Sequence, residues 1–148
     1  MTKAVVEIDR IDHVVPDTLS TLLRTRDIRL IDRGAAVGSD WYVVGVEVFG
    51  QAAWEMTLAM PEATARRLTS EMLWNDVVDV SNDDVVDAAG EVLSIVATRC
   101  RAVSDETWMG TPSVRRSSNL GSPTAAVQRW FAWGHDVLCF STQALVAC

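Results

Sequence analysis

The sequence has no cysteines at a bridging or metal-binding spacing: Cys100, Cys139 and Cys148 stand far apart and are odd in number. That pattern fits reduced thiols in a reducing compartment and excludes a disulfide framework. Histidine is equally scarce. His13 and His135 are remote from each other and from any cysteine cluster, so neither a zinc site nor a Cys/His nucleophile is supported, and no metal or cofactor is expected. Basic charge is short as well, with 13 Lys and Arg against 20 Asp and Glu and a net charge of -7. Nucleic acid and anionic lipid both demand a basic surface, and the pairs Arg66-Arg67 and Arg115-Arg116 are too small to make one. No apolar run reaches the length of a membrane span, and the start MTKAVVEIDRIDHVV has no continuous apolar segment or small-residue cleavage site. The expectation is a cytoplasmic protein with no nucleic-acid or membrane partner.

What is present is globular composition, 49% hydrophobic and 22% charged over 148 residues, with no internal repeat or low-complexity tract. That length is the size of one ordinary domain, so residues 1–148 are expected to form a single one. The first forty residues give short signals: a strand over Ala4 to Ile11, a helix from Pro16 to about Thr25 carrying Leu19, Leu22 and Leu23, a strand over Ile28 to Ile31, and a loop from Gly34 to Asp40. Trp41 to Phe49 then alternates at the period of a strand. Gly50-Gln51 reverses the chain, and Ala52 to Met60 completes a hairpin. Pro61 opens a helix with Ala65, Leu68, Thr69, Met72 and Leu73 inward, ending near Trp74 to Val80. Beyond residue 107, Trp108 to Val114 reads as a turn into a strand that begins at Pro112. Ser117 to Thr124 reads as a loop, and Ala125 to Trp133 with Asp136 to Val146 forms a second hairpin about Gly134-His135. Trp41, Trp54, Trp130 and Trp133 fall on strands as packing residues, whereas Trp74 and Trp108 bracket the central helix and are candidates for exposure.

That central helix spans Ser81 to Val103, SNDDVVDAAGEVLSIVATRCRAV. Ser81 or Asn82 can cap its first turn, and Asp83 and Asp84 place negative charge at the positive end of the helix dipole. Val85, Val86, Ala89, Val92, Leu93, Val96, Cys100 and Val103 recur at three- and four-residue steps and form the buried stripe. At 100° per residue, Asp87, Glu91, Ser94 and Thr98 fall together on the opposite side. Gly90 sits mid-helix, where glycine costs about 1 kcal/mol relative to alanine, so something is expected to approach closely there, whether another backbone or packing within the monomer.

The segment Asp87-Ala88-Ala89-Gly90-Glu91-Val92-Leu93-Ser94-Ile95 resembles the signature helix of the CheC/CheX/FliY chemotaxis phosphatases, in which a Gly-Glu pair leads into Glu-x-x-Asn. The resemblance runs from Trp41 to the C-terminus through the order hairpin, helix, signature helix, Pro-Ser-Val strand and hairpin. It implies an α+β fold, mainly antiparallel, with two antiparallel helices on one sheet face. It also implies a partner, the phosphorylated receiver domain of a response regulator, and possible hydrolysis of the receiver's aspartyl phosphate in chemotaxis or two-component signalling. In the family the glutamate pairs with the receiver's lysine, and the asparagine aligns the attacking water. Glu91 matches the first position and Ser94 replaces the second; Asn75, Asn82 and Asn119 follow Met72, Asp79 and Arg116 by three, so no Glu-x-x-Asn occurs elsewhere. The implied catalytic positions are Glu91 and Ser94, and the implied partner-binding residues are Asp87, Gly90, Glu91 and Thr98. A catalytically inactive binding module on the same fold is the alternative. The resemblance and the apolar C-terminal hairpin together imply a homodimer, with strand pairing across an exposed edge as one route.

Overall fold

A computed structural model describes residues 8–32, 40–50, 53–101, 108–117 and 127–145. The expected loop over Gly34 to Ser39, Val103, and the loop from 118 to 124 lie outside these residues. Among the described residues, seven strands form one antiparallel sheet in the order β1-β6-β7-β3-β2-β4, with β5 also paired to β2. They are β1 (Ile28–Ile31), β2 (Trp41–Phe49), β3 (Trp54–Pro61), β4 (Trp108–Met109), β5 (Ser113–Ser117), β6 (Val127–Trp133) and β7 (Asp136–Ala144). Among the described residues three α-helices, α1 (Ile8–Leu23), α2 (Glu62–Leu73) and α3 (Asn82–Cys100), cover one face.

Alternation along the strands decides which side is covered. Tyr42, Val44, Val46 and Val48 of β2 join Trp54, Met56, Leu58 and Met60 of β3 and Phe140 of β7 in the main core beneath the helices. Their neighbours Trp41, Val43, Ala59, Trp130 and Cys139 form a second, smaller cluster on the reverse face, where Trp41 and Trp130 meet edge to face at 6.2 Å. The four strand tryptophans are all buried.

The N-terminal reading is corrected by the structure. Residues 8 to 11 are helical, because the apolar set Ile11, Val14, Val15, Leu19 and Leu23 has helical spacing and packs as a third helix in the core. Residues 4 to 7 of the expected strand are outside the described part. Pro16 lies within α1 rather than opening it. Nearby, the Asp12 carboxylate receives both Nε and Nη2 of Arg129, which fastens α1 to β6. Pro61 ends β3 and caps α2 from outside instead of being its first helical residue, and Leu73 lies exposed rather than inward. The β6–β7 hairpin is flanked by β1, which pairs Trp130 to Trp133 of β6, and by β3, which pairs Cys139 to Ala144 of β7. Among the described residues, the edges without a strand partner include those of β1, the β4/β5 side and the start of β6, Val127 to Arg129.

Candidate functional site

Helix α3 is locally well specified. Ser81 Oγ accepts from the Asp84 amide at 3.1 Å while the Asp84 carboxylate accepts from the Ser81 amide at 3.0 Å. Such a capping box is worth about 1 kcal/mol to the helix. At the other end Arg10 of α1 donates to the carbonyls of Cys100 and Arg101, covering acceptors that the last helical turn leaves open. The buried face consists of Val85, Ala88, Ala89, Val92, Leu93, Val96, Ala97 and Cys100, as the spacing requires; Val86, expected in the same stripe, is only half-buried.

The start of α3 is also held sideways. Asn82 Oδ1 accepts from Tyr42 Oη at 3.1 Å and from Arg66 Nη2 at 2.8 Å, and Arg66 Nη1 reaches the Val80 carbonyl at 2.9 Å. Glu62 pairs with Arg66 at 3.5 Å and with Arg116 at 2.8 Å, and the Arg116 guanidinium lies over the Tyr42 ring. One network therefore joins α2, α3, β2 and β5, and fixes the pitch of the helix on the sheet.

Gly90 has a specific neighbour. A Cβ built on it would stand 3.3 Å from Pro112 Cβ and 3.5 Å from Pro112 Cγ. The close approach comes from packing within the monomer, and Gly90 is buried. It admits Pro112 and does not reach the outer surface, so its place is beneath the site.

The polar residues face outward. Asp87 and Glu91 are exposed, and Ser94 and Thr98 are half-buried beside them. Among the described residues, no hydrogen bond or ion pair engages the Glu91 carboxylate. Thr98 is less available: its hydroxyl donates to the Ser94 carbonyl at 2.7 Å and lies 3.5 Å from Met109 Sδ. Glu91, Ser94, Ile95, Thr98 and Arg99 line an open depression of ≈ 270 Å³. Arg99 is anchored to α1, donating to Thr18 Oγ1 at 2.7 Å and pairing with Asp17 at 2.7 Å. The surface thus has an unpaired carboxylate at one end, a fixed guanidinium at the other, and the half-buried Ile95 between them. Residue type alone does not mark Ile95 or Arg99; their positions four and eight residues after Glu91 place them along the same flank of the helix.

Burial pushes the thiols of Cys100 and Cys139 up to about 11 from an ordinary 9.0, with Arg10 and Arg99 pulling the other way at Cys100 and a Ser141 contact at Cys139. Neither is a nucleophile near neutral pH. Among the described residues no helix is long and apolar enough to cross a membrane.

The family described as "Chemotaxis phosphatase CheX" matches residues 42–130. No curated protein matches the chain. Among solved structures, CheX from Borrelia burgdorferi, determined in a CheX-CheY-BeF3-Mg complex, superposes with a TM-score of 0.73 at 13% identity over 97% of this chain and 100% of its own. CheX from Vibrio vulnificus gives 0.67 at 17% identity over 96% and 100%. FliY from Thermotoga maritima gives 0.58 at 14% identity over 97% and 93%. Those likenesses show a shared fold. The family match covers more than half of the sequence, including β2, β3, α2, all of α3 and β5, and on it this chain belongs to the CheX chemotaxis phosphatase family.

Proposed function

We propose that the outer face of α3 docks on the receiver domain of a phosphorylated response regulator, with Glu91 as its anchor. The observation that carries this reading is the free, exposed Glu91 carboxylate on a helix otherwise fixed at both ends and from the side. A carboxylate held on a rigid element without an internal partner is suited to a charge-assisted bond with a lysine of the partner. Asp87 widens the acidic contact one turn earlier, and Ser94 and Thr98 border the depression into which a partner side chain can enter. The Borrelia relative supports the choice of partner, since its structure contains CheY with BeF3, a stand-in for a phosphoryl group, and Mg.

Ser94 decides how much chemistry accompanies docking. Its hydroxyl can donate and accept, but it ends one bond closer to the helix than an asparagine amide. A water-positioning group withdrawn from an in-line attack costs about 100-fold or more in rate. The reading is therefore a domain that binds the phosphorylated receiver and accelerates phosphate loss only weakly. Single-turnover loss of receiver phosphate tests it: wild type should bind and scarcely accelerate, and Ser94→Asn should raise the rate by about 100-fold. Fast turnover by wild type that disappears in Ser94→Ala would instead make Ser94 catalytic and the protein a working phosphatase.

A further inference from the structure

The α2–α3 connection carries an apolar surface that neither the core nor the α3 outer face uses. Leu73, Trp74, Val77 and Val78 are 44%, 78%, 45% and 89% exposed, four large hydrophobic side chains within six residues. Scattered exposed apolar side chains are ordinary, but a contiguous group marks an interaction site. The backbone gives an independent indication. Trp74 ends α2 in the left-handed region at φ 59°, a position that glycine or asparagine fills at least cost. Arg24, just beyond the C-terminal end of α1, is the other non-glycine residue with positive φ among those described, at 50°. The two strained residues meet: the Arg24 guanidinium lies 3.4 Å from the centre of the Trp74 ring and also donates to the Glu71 carbonyl at 3.2 Å. One ring face is thus braced by Arg24, and the side chain still projects into solvent. An indole held in this way on a disfavoured backbone is arranged for contact rather than for folding.

The rim of the patch selects the occupant. Asp76 and Asp79 within the connection and Asp83 in the first turn of α3 are exposed, and Glu71, two residues before Leu73, is half-buried. The bordering guanidiniums are engaged internally, Arg24 as above and Arg66 with Val80, Asn82 and Glu62. An apolar centre with a carboxylate border repels anionic lipid and nucleic acid and complements apolar side chains flanked by Lys or Arg. We infer that this patch is a second docking surface, which takes a basic amphipathic segment of a partner protein.

The probe is a synthetic amphipathic Leu/Lys peptide, with a Leu/Glu peptide of the same pattern as control, titrated calorimetrically into the full chain. Wild type should bind the Leu/Lys peptide and ignore the Leu/Glu one. Trp74→Asn should weaken binding by about tenfold or more, as loss of a central aromatic anchor does. Because asparagine suits the left-handed backbone, this variant should melt no lower than wild type, which separates loss of contact from loss of fold. Val78→Ser should weaken binding in the same direction, and Leu30→Ser, at an exposed apolar residue on β1, should leave it unchanged. Absence of binding, equal binding of the two peptides, or binding insensitive to Trp74→Asn and Val78→Ser would overturn the inference. So would concentration-dependent self-association abolished by Trp74→Asn, which would make the occupant a second copy of this chain.

Discussion

Gly90 offers a close test of how α3 is seated. Replacing it with alanine in mid-helix gains about 1 kcal/mol of helix preference. The new Cβ would stand 3.3 Å from Pro112 Cβ, inside the 3.5–4.0 Å at which carbon atoms are comfortable, so Pro112 must move by a few tenths of an ångström. Pro112 is half-buried and lies between β4 and β5, tied back by the Gly110 amide to the Glu47 carbonyl at 2.9 Å. Crowding of this kind costs about 1–3 kcal/mol, so Gly90→Ala should come out between neutral and about 2 kcal/mol destabilising. Gly90→Val adds two further methyls and a β-branched side chain against the same ring, and should cost about 3 kcal/mol or more. Urea unfolding followed by tryptophan fluorescence measures both. A double-mutant cycle with Pro112→Gly isolates the contact, because removing the proline side chain should return about 1 kcal/mol to Gly90→Ala. The reasoning is refuted if Gly90→Val costs no more than about 0.5 kcal/mol, as on an open helix face, or if the cycle shows no coupling.

Asn82→Ala removes the acceptor shared by Tyr42 and Arg66, and should lower stability by about 1–2 kcal/mol in the same urea assay. The buried thiols make a pH prediction. Their folded pKa is raised, so the stability they favour is complete below an unfolded value near 9.0 and is lost as pH rises toward about 11; a Cys100→Ala, Cys139→Ala variant should show a shallower alkaline loss of Tm across that window. A homodimer, proposed from family resemblance and built by strand pairing, has little open edge on the C-terminal hairpin, where β1 covers Trp130 to Trp133 and β3 covers Cys139 to Ala144. Among the described residues the open edges are chiefly those of β1 and the β4/β5 side, and light scattering at high micromolar concentration showing only monomer would remove the proposal.

Alternation and periodicity made most of the fold legible. Trp41 to Phe49 reads at the period of a strand, and most of the expected apolar stripe of α3, Val86 apart, is buried. The first helix was not legible, because VVEID reads as a strand start and Pro16 reads as a helix start; the pattern from Ile11 to Leu23 becomes decisive only when its sheet and helix partners are known. At the site, helical geometry was enough to bring Asp87, Glu91, Ser94 and Thr98 to one flank. The contacts that depend on distant segments were not readable: Pro112 over Gly90, Asp17 on Arg99, and the Tyr42–Asn82–Arg66 network each join residues far apart in the sequence.

The proposed anchor of a phosphorylated receiver domain on α3 is the unpaired Glu91 carboxylate. Calorimetric titration of BeF3-activated receiver domains from the source organism into wild type and Glu91→Ala tests it most directly. At least one receiver should bind wild type, and Glu91→Ala, which removes a charge-assisted bond, should bind it about 10-fold or more weakly with an unchanged melting temperature. Equal affinity for both proteins, or binding to none of the receivers, would contradict it.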